Sequence, residues 1–336
     1  MVGSVASRAF QALALAGVLM FAGAASAAAI VPEAKQARAA ALLERYASLK
    51  GELGDNRFKR PVHLESTEGQ GEIAGEIFAR VDHPLAVAGA AMTLPSQWCD
   101  ILILHLNTKY CRPSTDGGGT VLRVSIGNKY NQPLEKAYRI DFAYRVVASS
   151  ANYLKVTLAA PTGPLGTSDY RIVLEAVPVE AGRTFIRLSY SYSYGAVGKL
   201  AMQVYLGTLG REKVGFTVIG RQPDDLPRYI GGMRGVVERN AMRYYLAIEA
   251  HLGALSLPAK SRMEQSLGAW FTSIERFPRQ LHEMEREAYL EMKRKEYARQ
   301  QEPAPAEADS GERAGTPSIA AIGPGASRPW GATDPA

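Results

Sequence analysis

Residues 186–194 read Ile-Arg-Leu-Ser-Tyr-Ser-Tyr-Ser-Tyr, and this stretch decides the fold class. Apolar or aromatic side chains occupy every second position from Ile186 to Tyr194, with Arg or Ser at the positions between them. Successive side chains of a β-strand point to opposite faces of its sheet. The alternation therefore predicts a strand with one apolar, tyrosine-rich face and one polar face.

Segments upstream of this strand show the same period of two. Their apolar positions are Leu122, Val124 and Ile126; Tyr138, Ile140, Phe142, Tyr144 and Val146; Leu154, Val156 and Leu158; and Tyr170, Ile172, Leu174 and Ala176. Turn sequences such as 116–119 and 180–182 separate these segments. Two further strands are predicted before Asp82, and a last one from Val214 to Val218. The pattern is typical of an antiparallel meander.

A long helix is predicted from about Gly232 to Ala254. Its apolar stripe consists of Val236, Val237, Ala241, Tyr244, Tyr245, Ile248 and Leu252. We expect this stripe to cover the apolar face of the sheet. Shorter helices are predicted at 85–92, from Gln97 to about Leu106, and within 28–50.

The segment beyond Pro258 carries a second helical pattern. Met263, Leu267, Trp270, Ile274 and Phe277 repeat at alternating spacings of four and three. This spacing is typical of a helix docking seam, through which residues 258–301 would pack on the domain or bind a protein partner. Residues 302–336 are rich in Pro, Gly, Ala and Ser, and we predict that they are disordered.

The N-terminal residues predict export. Arg8 precedes an uncharged run that ends in Ala25-Ser26-Ala27, the order of a cleaved secretory signal. A retained membrane anchor is the alternative, but the run is Ala- and Gly-rich and shorter than the roughly 20 residues that a span needs. We therefore predict a signal peptide over 1–27 and a periplasmic location, with no transmembrane span in the mature protein.

Cys99 and Cys111 are the only cysteines in the chain. In an oxidising compartment an even pair so close in sequence is first a disulfide candidate. A metal site or a reactive thiol is the alternative, because His105 lies between them. Two Cys and one His make an incomplete zinc site, so we predict a disulfide and no metal.

Composition and motifs exclude several classes of function. The 336-residue chain has a net charge of +6, but its basic residues are spread out and interrupted by acidic ones, which argues against nucleic-acid binding. No nucleophile elbow, P-loop, dinucleotide fingerprint or H-E-x-x-H zinc motif occurs in it. No catalytic residue and no cofactor are predicted. Whether the chain is an enzyme stays open, with binding favoured over catalysis.

The order of these elements resembles the START-like superfamily, also called SRPBCC, helix-grip or polyketide cyclase-like. The matching segments are 71–77 leading into Val81-Asp82-His83-Pro84, then Pro95-Ser96-Gln97-Trp98, and later 168–172 followed by 183–190. The resemblance covers about residues 60–254 and leaves out the insertion at 195–230 and the helices beyond 258. It implies an α+β helix-grip fold, a curved antiparallel β-sheet wrapped around a long C-terminal helix, with a cavity for a lipid, sterol or polyketide.

The tyrosines of the apolar face are the candidate ligand contacts. A buried tyrosine combines an apolar ring with a hydroxyl that needs a partner, as the walls of small-molecule pockets do. The candidate ligand-binding residues are Tyr138, Phe142, Tyr144, Tyr170, Tyr190, Tyr192, His105 and Tyr245. A solid core with tyrosines at its rim fits the same pattern, and His105 fits a packing role.

The domain prediction follows from these boundaries. It comprises a signal peptide over 1–27, an N-terminal helix and linker over 28–59, a START-like domain over 60–255, a helical extension over 256–301 and a tail over 302–336. The function predicted first is an exported protein that binds an apolar small molecule or lipid. The alternatives are a cyclase or aromatase acting on a hydrophobic substrate, and a scaffold acting through the 258–301 helices.

Overall fold

The computed structural model describes residues 34–116, 118–196, 198–200, 203 and 213–302. The predicted signal peptide, part of the 195–230 insertion, in which a short apolar helix is predicted at about 199–209, and the tail from residue 303 lie outside the described residues. The chain divides into two compact units, residues 1–50 and 51–336. Helix α1 covers residues 34–54, and the sheet and the remaining helices belong to the second unit.

An antiparallel sheet of eight strands forms the centre of the second unit. The strands are β1 (Val62–Glu68), β2 (Glu72–Val81), β3 (Thr108–Asp116), β4 (Gly119–Ile126), β5 (Tyr138–Ser149), β6 (Leu154–Thr162), β7 (Thr167–Val179) and β8 (Arg183–Tyr194). Their order in the sheet is β1-β2-β8-β7-β6-β5-β4-β3. The register is irregular in β3, β5 and β7, and such bulges bend a sheet. The predicted meander from β4 to β8 is confirmed.

Helices lie on one side of this curved sheet. They are α2 (Leu85–Met92), α3 (Pro95–Leu102), α4 (Gly232–Ala254), α5 (Ala259–Ile274), α6 (Pro278–Leu281) and α7 (Arg286–Gln301). Helix α4 packs across β1, β2 and β8, and it has the predicted bounds. None of the described helices is long and apolar enough to cross a bilayer.

The contact of α4 with the sheet is closest at Gly75 of β2. A Cβ atom on this residue would lie 3.1 Å from the carbonyl oxygen of Val237 and 3.2 Å from the Cβ of Ala241. Glycine is therefore needed for the helix backbone to reach the strand. Val237, Ala241 and Ile248 of α4 are buried with the inward residues of all the central strands in one core. The predicted α+β helix-grip fold is confirmed.

Strand β3 is a strand that the sequence pattern did not predict. It lies at the edge of the sheet, pairs only with β4, and contains Lys109, Arg112 and Pro113. Proline is tolerated at sheet edges because the missing N–H leaves no ladder bond unmade there. A polar edge strand with a proline lacks the alternation by which the inner strands were found.

The strand predicted from Val214 to Val218 was wrong. Residues 213–217 form no strand, and a small separate hairpin follows, β9 (Val218–Arg221) with β10 (Pro227–Tyr229). The buried carboxylate of Glu238 accepts hydrogen bonds from the backbone N–H groups of Phe216, at 2.6 Å, and Thr217, at 2.9 Å. A side chain of α4 thus takes the donors that a neighbouring strand would have used.

The Cys99–Cys111 disulfide is confirmed and joins α3 to β3. Helix α3 differs from its predicted bounds, because it begins at Pro95, a favoured first helical residue, and ends at Leu102. Residues 103–107 turn into β3, and the bridge closes this turn.

The helices beyond residue 258 pack on the same core. Leu267, Trp270 and Ile274 of α5 are buried, and α5 lies along α4. The helix breaks before Pro278 as predicted, and α7 then crosses to the edge strand β3. The predicted docking seam is therefore used within the chain itself.

Candidate functional site

Tyrosines of adjacent strands meet at one end of the sheet's inner face. Tyr170 of β7 and Tyr192 of β8 stack with ring centroids 5.1 Å apart, and Tyr190 lies 5.8 Å from Tyr192 and 6.3 Å from Tyr170. The register explains this, because Tyr190 pairs with Ile172, two residues beyond Tyr170 on the same face. Three of the predicted ligand-binding residues are thus brought together.

Helix α4 and the turn after α3 complete this group. The ring of Tyr244 lies 5.3 Å from that of Tyr190 and 4.9 Å from the imidazole of His105, on which it stacks. We call Tyr170, Tyr190, Tyr192, Tyr244 and His105 the tyrosine cluster. His105 was predicted for the site; Tyr244 was recognised only as part of the helix stripe.

The other predicted residues lie around or apart from the tyrosine cluster. Tyr138 is half-buried against the core, and Phe142 is buried in it. The Tyr144 hydroxyl donates to the carbonyl oxygen of Met92 at 3.1 Å, which ties β5 to the end of α2. Tyr245 faces away, since its hydroxyl donates to Glu249 of the same helix at 3.2 Å.

The tyrosine cluster has a buried base and a partly buried rim. Tyr190 and Tyr192 are buried, whereas Tyr138, Tyr170, Tyr244 and the nearby Asn240 keep part of their surface accessible. Burial raises the pKa of Tyr170 to about 12 and that of Tyr190 well above its usual value. The phenols are therefore protonated at physiological pH and act as neutral hydrogen-bonding groups.

His105 supplies an unpartnered donor to the tyrosine cluster. Its Nδ1 accepts a hydrogen bond from the backbone N–H of Asn107 at 3.2 Å, which places the proton of the neutral ring on Nε2. Burial, followed by the charges of Arg243 and Lys293, lowers the pKa of His105 well below its usual value. The Asn240 side chain interacts with both His105 and Tyr190 and raises the pKa of His105, but Nε2 makes no hydrogen bond of good geometry.

A group of cations surrounds Glu283 beside the tyrosine cluster. The carboxylate oxygens of Glu283 lie 2.7 Å from Lys129 Nζ, 2.7 Å from an Arg243 guanidinium nitrogen and 3.6 Å from Lys213 Nζ. We call these four residues the Glu283 cluster. Burial alone would raise the pKa of Glu283, but Arg243 and Lys129 outweigh it and lower the pKa to about 2.

The two clusters are adjacent. Arg243 directly precedes Tyr244 on α4, and Arg243 and Lys129 both lower the pKa of His105. The guanidinium Nε of Arg243 is buried and makes no hydrogen bond. Two unpartnered donors, Arg243 Nε and His105 Nε2, therefore belong to this part of the molecule. Sequence reasoning missed the Glu283 cluster because its residues come from four distant segments without periodicity.

Two surface pockets lie elsewhere. One, of about 290 Å³, is lined by Tyr130, Asn131, Met284, Ala288, Glu291, Met292 and Lys295. The other, of about 310 Å³, is lined by Arg57, Phe58, Lys59, Phe216, Tyr229, Arg276, Phe277, Pro278 and Gln280. Neither is lined by the tyrosine cluster, whose rings contact one another. Within the described ranges, no group of His, Cys, Asp and Glu side chains has the arrangement of a metal site.

No protein-family model and no curated protein matches the chain. Among solved structures it is similar to norcoclaurine synthase from Thalictrum flavum in complex with dopamine and hydroxybenzaldehyde, at 15% identity over 44% of this chain and 81% of that one, with a TM-score of 0.30. It is also similar to human StAR-related lipid transfer protein 5, at 12% identity over 52% and 91% with a TM-score of 0.29. CalU16 from Micromonospora echinospora matches at 11% identity over 63% and 93%, with a TM-score of 0.28. TM-scores this low carry no functional argument, and the fold rests on the strand order and the position of α4.

Proposed function

We propose that this chain is an exported binding protein that holds a lipid or another apolar small molecule at the tyrosine cluster, between the sheet and α4. The observation that carries the proposal is the combination of aromatic rings from β7, β8 and α4 with an unpartnered, buried N–H group on His105. A buried donor without an acceptor costs free energy that a ligand acceptor would recover.

The rim residues provide the entrance in this proposal. Tyr170 and Tyr244 are partly buried and contact the buried rings of Tyr190 and Tyr192. A ligand would enter by turning these two side chains outward and would replace their ring contacts with its own apolar surface. Ring stacking is worth about 0.5–1.5 kcal/mol per pair, so this exchange has a small cost.

Export is the second part of the proposal. The residues that support it are the signal-like sequence over 1–27 and the disulfide between Cys99 and Cys111, since disulfides persist in oxidising compartments. We expect the mature protein to begin at Ala28 and to fractionate with periplasmic proteins. N-terminal mass spectrometry of protein expressed from the complete chain tests this, and an intact Met1 in cytoplasmic protein would contradict it.

Binding is tested with the mature chain and an uncharged apolar fluorophore, N-phenyl-1-naphthylamine. We expect saturable binding, and Tyr190→Phe should weaken it about tenfold because the hydroxyl at the base of the site is lost. Tyr289→Phe is the matched control: it removes the same group from a buried tyrosine of α7 that donates to Leu104 O and lies outside the tyrosine cluster.

Native mass spectrometry and organic extraction of the purified protein give an independent measurement. We expect a co-purified apolar molecule that is displaced by the fluorophore. If no such molecule is found, and the fluorophore fails to bind or binds Tyr190→Phe as well as the native chain, the proposal is wrong.

A further inference from the structure

We propose that the ligand is an acid, and that the Glu283 cluster binds its anionic head group while the tyrosine cluster takes its apolar body. The inference rests on the proposed function and adds the chemical class of the ligand. Its basis is the charge balance of the Glu283 cluster together with the two unpartnered donors next to it.

The cations of the Glu283 cluster outnumber its carboxylate. Lys129, Lys213 and Arg243 all approach Glu283, and Lys213 Nζ also donates to His282 O at 2.6 Å. Glu283 is the charge that raises the pKa of Lys213 most, and the positive charges of Lys129, Arg243 and Arg239 oppose it. Burial of like charges is unfavourable unless an anion compensates them.

The unpartnered groups of this region are both donors. Arg243 Nε and His105 Nε2 each carry a proton and are buried, and neither makes a hydrogen bond of good geometry, although the Asn240 side chain interacts with the imidazole. A ligand group that satisfies them must accept hydrogen bonds, and one that balances the lysines must be negative. A carboxylate or another oxyanion has both properties, whereas an alcohol or an amide supplies only the first.

The Glu283 cluster is open to solvent on one side only. The side chains of Lys129 and Lys213 are 24% and 25% exposed, whereas Arg243 and Glu283 are 3% and 7% exposed. An anion can therefore reach the lysines from solvent and pair with them against a dry, cationic wall. In such surroundings a charge-assisted hydrogen bond is stronger than at an open surface.

The position of Arg243 beside Tyr244 on α4 indicates the shape of the ligand. Arg243 lies in the Glu283 cluster and its neighbour Tyr244 in the tyrosine cluster, so head group and apolar body are held by consecutive residues of α4. This arrangement fits a single amphipathic molecule with an acidic end, such as an aliphatic or aromatic carboxylic acid.

The test compares two probes that differ only in the head group, dodecanoate and 1-dodecanol. Affinities for the full mature chain are measured by competition with N-phenyl-1-naphthylamine, below the micellar range. We expect dodecanoate to bind about tenfold more tightly than dodecanol, and its advantage to fall as salt is raised. Because this measurement uses the native chain alone, it does not depend on any variant folding.

The double variant Lys129→Met, Lys213→Met locates the effect. It should weaken dodecanoate about tenfold and leave dodecanol within about twofold. Lys136→Met with Lys260→Met is the control for net charge, because both lysines are exposed and lie in other parts of the chain. Lys213→Met alone serves where the double variant fails to fold.

The outcomes separate the two proposals. Equal affinity for the two probes would contradict an acidic head group but remain consistent with the apolar site. The acidic head group would also be contradicted if the cluster variants left the dodecanoate affinity unchanged, or if the control variant lowered it equally. Failure of both probes to bind overturns the proposed function and this inference together.

Discussion

Two buried charge clusters of this molecule use the same residue types and differ in completeness. In the first, formed by Lys109, Lys293 and Glu296, each ammonium group is surrounded by acceptors. Lys293 donates to His105 O at 2.6 Å, Thr108 O at 2.8 Å and Glu296 at 2.8 Å, and Lys109 donates to Leu106 O at 2.9 Å and Glu296 at 3.0 Å. In the Glu283 cluster three cations share one carboxylate; Lys213 Nζ also donates to His282 O at 2.6 Å, but Arg243 Nε has no acceptor.

The difference teaches how to distinguish a structural cluster from a binding cluster. A cluster whose donors are all satisfied attaches one element to another, here α7 to the turn before β3. A cluster with surplus positive charge and a donor that makes no hydrogen bond lacks an acceptor, which an anionic ligand can supply. His105 lies between the two clusters, because its carbonyl oxygen accepts from Lys293 while its ring, in the tyrosine cluster, feels the charges of Arg243 and Lys129.

Breaking the satisfied cluster should have the largest effect on stability. Glu296→Gln leaves two buried ammonium groups without a counter-charge, and we expect the free energy of unfolding to fall by about 3–5 kcal/mol at pH 7. Denaturant unfolding measures this. Glu264→Gln is the control, because it removes from α5 the exposed partner of Arg294, a residue of the same helix as Glu296. Equal midpoints for the two variants would show that the first cluster does not hold α7.

Removing the disulfide loosens the turn between α3 and β3, whose carbonyl oxygens accept from Lys109 and Lys293. The double variant Cys99→Ser, Cys111→Ser increases the conformational entropy of the unfolded chain. We therefore expect the free energy of unfolding to fall by about 3 kcal/mol. The native chain unfolded in the presence of a reductant should show the same midpoint as the variant. A variant as stable as the oxidised protein would mean that the packing of α3 and β3 alone fixes this turn.

Neutralising the carboxylate of the Glu283 cluster should lower stability at neutral pH and remove the part of the pH dependence that this carboxylate contributes. The folded-state pKa of Glu283 is lowered to about 2, so its stabilising contribution is present above the unfolded pKa and is lost as the pH falls from about 4.5 to about 2. Between pH 7 and pH 2 we expect the free energy of unfolding of Glu283→Gln to fall by on the order of 2 kcal/mol less than that of the native chain.

Unfolding curves between pH 2 and pH 7 measure the effect. Glu291→Gln is the matched control, since Glu291 pairs with Lys295 on the exposed face of α7. The same pH slope in the native chain and in Glu283→Gln would contradict the assigned charge state of the Glu283 cluster.

The sequence predicted the parts of the fold that repeat. Strands β4 to β8 and helix α4 each bury one face. Their apolar residues therefore recur in the sequence with the period of a strand or of a helix. Strand β3 was not predicted, because its edge position tolerates Lys109 and Pro113 and these residues break the alternation. The expected strand at 214–218 had the right alternation, but the carboxylate of Glu238 takes its backbone donors.

The candidate site was predictable only where it lies on a repeating face. Tyr170, Tyr190 and Tyr192 follow from strand alternation, and they do meet. Tyr244 and Tyr245 are consecutive in one stripe, and only the rotation of α4 against the sheet decides which of them joins the tyrosine cluster. The Glu283 cluster depends on long-range packing of four segments, for which a single sequence contains no local signal.

The buried ammonium of Lys109 has a consequence for the ancestry of the chain. This side chain is fully buried on an edge strand, and its counter-charge comes from a helix nearly two hundred residues further along. A chain that ended after α4 would have no carboxylate for this ammonium, and an unpaired buried charge is strongly destabilising. Homologues that lack α7 are therefore expected to carry an uncharged residue at the position of Lys109.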